Sequence, residues 1–181
     1  MDRLKYYNLY NVPNLLISKY YYTNIFKLNK IESIMLIFKT SSKIFLPVLS
    51  FLMFIITGQS PVLLRKYKKK KIKKKIIKFK LRLLNKSLYL FLDKLINFSM
   101  PSFLEFGGLK KKNFVKFGLF NFNIFQIFDF IDSRIIYYKD PNYFSYFFDK
   151  STLLINIKFD KNKQLINYNL LRLNKFPFNL D

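Results

Sequence analysis

Cations dominate the chemistry this chain can offer. Lys78, Lys80 and Arg82 alternate with Ile77, Phe79, Leu81 and Leu83, and in an extended strand that alternation puts every cation on one face, ~6.6 Å apart. Several of them can then meet a phosphate backbone at once. Upstream runs a basic block with Arg65, Lys66, Lys68, Lys69, Lys70, Lys71, Lys73, Lys74 and Lys75. Downstream, Lys110, Lys111, Lys112 and Lys116 are interleaved with Phe114, Phe117, Phe120, Phe122 and Phe125. Basic residues among aromatics can hold phosphates while bases stack on the rings. Each feature also has a plain reading: a solvent-facing strand, a solvated arm, and rings that simply pack.

The 181 residues include 33 Lys+Arg against 10 Asp+Glu, a formal charge of +23, with neither His nor Cys. Lacking Cys, the chain has no disulfides or thiolates; lacking His, it has neither the usual general base nor the commonest metal ligand. Asp93, Glu105, Asp129 and Asp132 do not show the clustering that a metal-dependent nuclease needs, and there is no glycine-rich phosphate loop. An enzyme, a cofactor, a bound metal and a small-molecule substrate are therefore not expected. A charge of this size repels itself in a compact state, so a neutralising polyanion is implied, nucleic acid first and an anionic membrane surface second. The chain has no Ala and only 4 Gly, but 23 Phe and 13 Tyr. That bias fits an AT-rich genome such as an organelle's, and part of the Lys content then reflects mutational drift.

The elements that must position these residues follow from periodicity. Ile31–Phe38 reads as a strand whose nearly continuous apolar run implies burial on both faces. Ile44–Ile56 is too short to span a bilayer and reads as a buried helix, with Pro47 in its first turn and Gly58 closing it. No membrane insertion is expected. Leu88, Phe91, Leu92, Leu95 and Ile96 form a helical core stripe stopped by Pro101, with Asp93 and Lys94 off the stripe and solvated. The aromatic segment Tyr137–Phe148 surrounds a turn signal at Lys139–Asn142 and could dock a partner. Leu153, Ile155, Ile157 and Phe159 alternate as a strand, followed by a cap at Asp160 and a helix carrying Ile166, Leu170 and Leu173. Met1–Thr23 shows neither a signal-peptide nor a transit-peptide pattern, which is compatible with synthesis inside an organelle. The fold expected is α+β, a curved, mainly antiparallel sheet with helices packed on one side. Residues 1–30 form an N-terminal extension or helix, and 31–181 a single RNA-binding domain with a basic loop at 65–75 and an expanded aromatic connection at 131–151.

Four stretches in order, Thr57-Gly58-Gln59-Ser60-Pro61, Phe91-Leu92-Asp93-Lys94-Leu95-Ile96, Met100-Pro101-Ser102-Phe103-Leu104-Glu105-Phe106-Gly107-Gly108-Leu109 and Phe176-Pro177-Phe178, resemble the bacterial-type large-subunit ribosomal protein five family. Ile31-Glu32-Ser33-Ile34 is similar to that family's first strand. The resemblance implies a non-catalytic scaffold that binds large-subunit rRNA, 5S rRNA above all, in the central protuberance. It also implies contacts with peptidyl-site tRNA, neighbouring large-subunit proteins and a small-subunit head protein. By this resemblance Gln59 is an RNA contact and the tRNA-facing loop maps near Lys66–Lys75. The family's polar Asn at the end of the first strand is Ile37 here, and the Thr and Arg of its valine-threonine-leucine-arginine-glycine strand are Arg82 and Leu84. Its Asp-Gly-Arg-Gly element survives only as Gly118 beside Val115, Lys116 and Phe117, and the Arg of its Asp-Phe-Arg-Gly-Leu motif is Gly107. These departures imply a retained scaffold with a rebuilt RNA-reading surface, facing a divergent 5S rRNA or what replaces it. The compartment expected is the mitochondrion, with the plastid as alternative, and the rival function is a polybasic membrane-surface protein.

Overall fold

In the computed structural model, residues 3–40, 46–65, 77–102, 107–115, 118–124 and 152–179 are described. Three of the sequence's alternating or apolar runs become neighbouring strands: β1 (Ile31–Thr40), β3 (Ile77–Leu83) and β6 (Thr152–Phe159). With β2 (Val62–Arg65), β4 (Phe114–Val115) and β5 (Leu119–Ile124) they form a six-stranded sheet in the order β2-β3-β1-β6-β5-β4. Every pairing within it is antiparallel. The fold is α+β.

Alternation decides which side is core. Ile34, Leu36 and Phe38 of β1, Phe79, Leu81 and Leu83 of β3, Phe120, Phe122 and Ile124 of β5, and Leu153, Ile155, Ile157 and Phe159 of β6 are all buried. They join one cluster with side chains from the helices: Val12 and Leu16 of α2 (Val12–Tyr20), Leu49, Leu52, Met53 and Ile56 of α3 (Leu46–Thr57), Leu88, Phe91 and Leu92 of α4 (Asn85–Lys94), and Ile166, Leu170 and Leu171 of α6 (Gln164–Leu173). Each such side chain, fully removed from water, contributes roughly 1.5–3 kcal/mol. Residues assigned as an N-terminal extension thus supply part of this core. A short α1 (Arg3–Tyr6) leads through a π-helical stretch, Tyr7–Asn11, into α2.

Several expectations hold and several need correction. Gly58 closes α3 with φ +70°, its N–H donating to Phe54 O at 2.7 Å, a conformation that favours glycine. Among the described residues no helix is long and apolar enough to cross a membrane. The run Ile31–Phe38 is not buried on both faces: Met35 and Ile37 are only half-buried, on the side opposite the helices. Pro101 lies inside its helix, with Ser102 still helical, rather than just past its end. The preceding turn, Leu95–Ser99, widens to π geometry with Met100 N–H on Leu95 O, and α5 (Met100–Ser102) follows. Such a widened turn accommodates a proline that has no N–H to offer the i−4 carbonyl. Asp93 and Lys94 are not merely solvated. Asp93 accepts from Arg3 at 3.2 Å and Asn97 at 2.8 Å, while Lys94 donates to Ile56 O at 3.3 Å, so α4 is tied to α1 and α3. Asp160 does not cap α6. Its carboxylate accepts from the Lys30 N–H at 2.8 Å, fastening the entry of β1 to the exit of β6. Tyr137–Phe148 lies outside the described residues.

Leu92 is fully buried where α4 meets the sheet. Leu92→Ala is expected to lower unfolding free energy by about 2–5 kcal/mol, measured as a shift of the denaturant midpoint with an unchanged slope.

Candidate nucleic-acid interface

The sheet face turned away from the helices is built by the register. Lys78 lies opposite Lys39, Lys80 opposite Ile37, and Arg82 opposite Met35. Across β1, Lys39 pairs with Thr152, Ile37 with Leu154, Met35 with Asn156, and Ser33 with Lys158. Beyond β6, Asn156 faces Asn121 and Leu154 faces Asn123. The outer side therefore carries Lys39, Lys78, Lys80, Arg82 and Lys158 among half-buried apolar and amide side chains. Period-two geometry holds these cations there: each has a buried sequence neighbour, among Phe38, Phe79, Leu81, Leu83, Ile157 and Phe159, so none can turn inward without pulling a core residue out.

Two electrostatic details matter. Lys39 and Lys78 are direct cross-strand partners, and like charges so placed are destabilising unless an anion lies between or above them. Glu32 sits at the bulged start of β1, where the register shifts between Ile31 and Ser33. There it accepts from Lys158 at 2.7 Å and from Arg82 at 3.1 Å, bridging β6 to β3. The hydrogen bond from Lys158, with the charges of Lys158 and Arg82 adding to it and slight desolvation opposing, holds this carboxyl below its ordinary value. Among the described residues Glu32 is the carboxylate on this face, and no group of three or more His, Cys, Asp or Glu could hold a metal ion.

The residues singled out from sequence are partly brought together. Lys78, Lys80 and Arg82 share the open face. Gln59, exposed after α3, donates through Nε2 to Ser87 Oγ at 3.2 Å, which sets it beside the end of β3 that carries Arg82. Arg65 ends β2, opposite Ile77. Lys110, Lys111 and Lys112 lie elsewhere, before β4 at the far edge of the sheet, four strand spacings or about 19 Å from β3. Lys111 there lies over the Tyr168 ring at 5.3 Å. Lys66, Lys68, Lys69, Lys70, Lys71, Lys73, Lys74, Lys75 and Lys116 lie outside the described residues. The rings named with the downstream cations pack rather than present free faces. Phe120 and Phe122 are buried, and Phe114 contacts Phe120, Phe159 and Tyr168; Phe117 and Phe125 lie outside the described residues.

Sequence reasoning missed Lys39, Lys158, Glu32, Asn121 and Asn156. The apolar alternation of β6 already implied that Leu154, Asn156 and Lys158 shared the other face, but only the strand order says that this face continues from β3.

No protein-family model matches the chain. Curated proteins do resemble it. It is 38% identical over 119 residues to the large ribosomal subunit protein uL5c of Cyanidium caldarium, covering 57% of this chain and 62% of that protein. Proteins of the same name match at 33% over 136 residues in Euglena longa and 34% over 139 residues in Euglena gracilis, covering 72% and 74% of those proteins and 67% and 68% of this chain. The match therefore spans somewhat less than two thirds of the Cyanidium relative and more than two thirds of the two Euglena ones.

Glu32 gives the interface a signature in acid. Its lowered pKa means that its stabilising contribution is present above the unfolded-state value and is lost as pH falls through the folded value, below the usual carboxylate range. Glu32→Gln is expected to lower the neutral-pH midpoint by a small amount and to remove the same amount from the acid-side loss, small because the pair is substantially exposed. Thermal unfolding of both proteins across the acid limb checks this.

Proposed function

The chain belongs to the uL5 family of large-ribosomal-subunit proteins, and on that premise we propose that the open face of its sheet lies against RNA in the large subunit of an organellar ribosome. It acts as a structural constituent, not as an enzyme. The observation that carries the reading is the helix-opposed face on which Lys78 stands directly opposite Lys39 and beside Lys80 and Arg82. A ribose-phosphate chain relieves that repulsion, and the apolar backs of the same strands hold the cations at fixed spacing.

The finer assignment follows the residues. The RNA is that of the central protuberance, 5S rRNA or the segment that replaces it, with Gln59 at the rim beside Arg82. By family resemblance, the basic segment 66–75 contacts peptidyl-site tRNA. The cations Lys110, Lys111 and Lys112, displaced to the β4 edge, contact a separate RNA segment or a neighbouring ribosomal protein. The aromatic connection 131–151 contacts protein, and a small-subunit head protein is a further partner of the chain. Because Val12, Leu16 and Leu28 lie in the same core as the sheet, residues 1–30 work as part of one unit with the rest. The relatives carry the plastid form of the name, and an AT-rich organelle fits the composition. Mitochondrion and plastid are separated by organelle fractionation before ribosomes are sedimented. Co-sedimentation with large subunits supports the reading, whereas retention in a carbonate-extracted lipid pellet supports a membrane-surface protein.

The electrostatic part has a quantitative test. With ~6–10 phosphates engaged, affinity for large-subunit rRNA should fall by roughly a thousandfold or more between 50 and 200 mM salt. The triple variant Lys78→Gln, Lys80→Gln, Arg82→Gln is expected to bind more weakly and to reduce the log–log salt slope by about two to three. An unchanged slope would place the RNA elsewhere.

A further inference from the structure

The open face is not uniformly cationic. Arg82, Met35, Asn156 and Asn121 occupy one row across four adjacent strands, β3, β1, β6 and β5. Charge marks one end of that row and amides the other. The side-chain carbonyl oxygens of Asn121 and Asn156 are both enclosed and both without a hydrogen-bond partner, although the two residues are direct cross-strand partners. Elsewhere in the molecule facing asparagines bond to one another, although the Oδ1 of Asn29 is likewise without a partner. Asn8 and Asn174 exchange hydrogen bonds of 2.6 and 3.0 Å, and Asn29 donates to Asn167 at 2.7 Å. Two adjacent acceptors left unmade on an otherwise well-bonded sheet are a cost that a donor from outside removes.

We propose that Asn121 and Asn156 read the edge of an unpaired adenine whose own strand is held by Arg82 and Lys80. The inference rests on the open face being the RNA side. A phosphate cannot supply the missing donor, because it is itself an acceptor, whereas an exocyclic amino group can. A side-chain amide matches adenine in particular, accepting from N6 and donating to N7. Each amide turns its oxygen outward by rotation about χ2, a broad and nearly two-fold torsion. Between cation and amides lies Met35, half-buried, whose thioether offers an apolar, polarizable platform for a base. Arg82 and Asn156 are two strand spacings apart, about 9–10 Å, a span one nucleotide bridges from phosphate to base edge. Asn123, exposed beside Leu154, extends the amide surface two residues further along β5. Phosphate contacts thus set position while this pair sets identity.

The test uses the full chain and labelled oligoadenylate and oligouridylate of equal length, with binding followed by fluorescence anisotropy at several ionic strengths. Wild type is expected to prefer oligoadenylate by about fivefold or more. The double variant Asn121→Leu, Asn156→Leu, shown to be folded by its circular dichroism, should lose that preference and keep its affinity for oligouridylate. Leucine retains an apolar surface, so a preference due to stacking alone would survive the substitution and overturn the proposal. Equal wild-type affinity for both RNAs, with salt dependence intact, would also overturn it while leaving the RNA face in place. Absence of salt-dependent binding to either RNA would remove both.

Discussion

Strand β1 is hydrogen-bonded along both edges, to β3 and to β6, and its side chains alternate between a sealed core and an open surface. On one side Ile34, Leu36 and Phe38 are essentially inaccessible to water, and on the other stand Met35, Ile37 and Lys39. The pairing register couples this alternation to its neighbours. Slipping β3 by one residue against β1 would drive Lys78, Lys80 and Arg82 among the side chains of α2, α4 and α6, and expose Phe79, Leu81 and Leu83. Burying those charges without partners costs far more than the sheet could recover. The constraint that forms the core is therefore the same one that displays the cations.

A face made in this way is stable as a fold yet electrostatically incomplete. The chain carries +23 formal charges. Glu32 offsets two of the cations on the open face by bridging Arg82 and Lys158, but exposed pairs of this kind contribute little to stability. Their effect is geometric. Glu32 orders a guanidinium and an ammonium on strands that flank β1, so that an arriving phosphate meets groups already in place. Lys39 and Lys78, facing each other, have no such carboxylate between them among the described residues. Membership in a family of ribosomal proteins supports RNA as the polymer that we propose completes this surface.

Much of this was legible in the residues themselves. The strict alternation from Ile77 to Leu83 specified β3 and both of its faces. The spacing of Leu88, Phe91, Leu92, Leu95 and Ile96 specified the buried stripe that α4 and the π turn present, and Gly58 the end of α3. What escaped was the information carried by pairs distant in sequence. Arg82 meets Glu32 across 50 residues, and Lys30 meets Asp160 across 130; neither follows from local pattern. An aspartate after a strand reads as a helix cap, and only the closing of β6 against the start of β1 reveals its different partner. Asn121 and Asn156 carry no local signal in an Asn-rich chain, and only the register makes them neighbours. Gln59 has no local signal of its own and was visible solely through resemblance. Lys110, Lys111 and Lys112 were grouped with the other cations by composition, and the sheet then separated them, because β1, β6 and β5 intervene.

The central claim is that the surface opposite the helices is the side that meets RNA. The most direct measurement is a density map of the intact large ribosomal subunit purified from the source organelle, read at the outer sides of β3, β1 and β6. The account calls for ribose-phosphate density within hydrogen-bonding reach of Lys78, Lys80 and Arg82, with Lys39 across from it. Protein or lipid over those side chains, with the RNA against the helices instead, would contradict it.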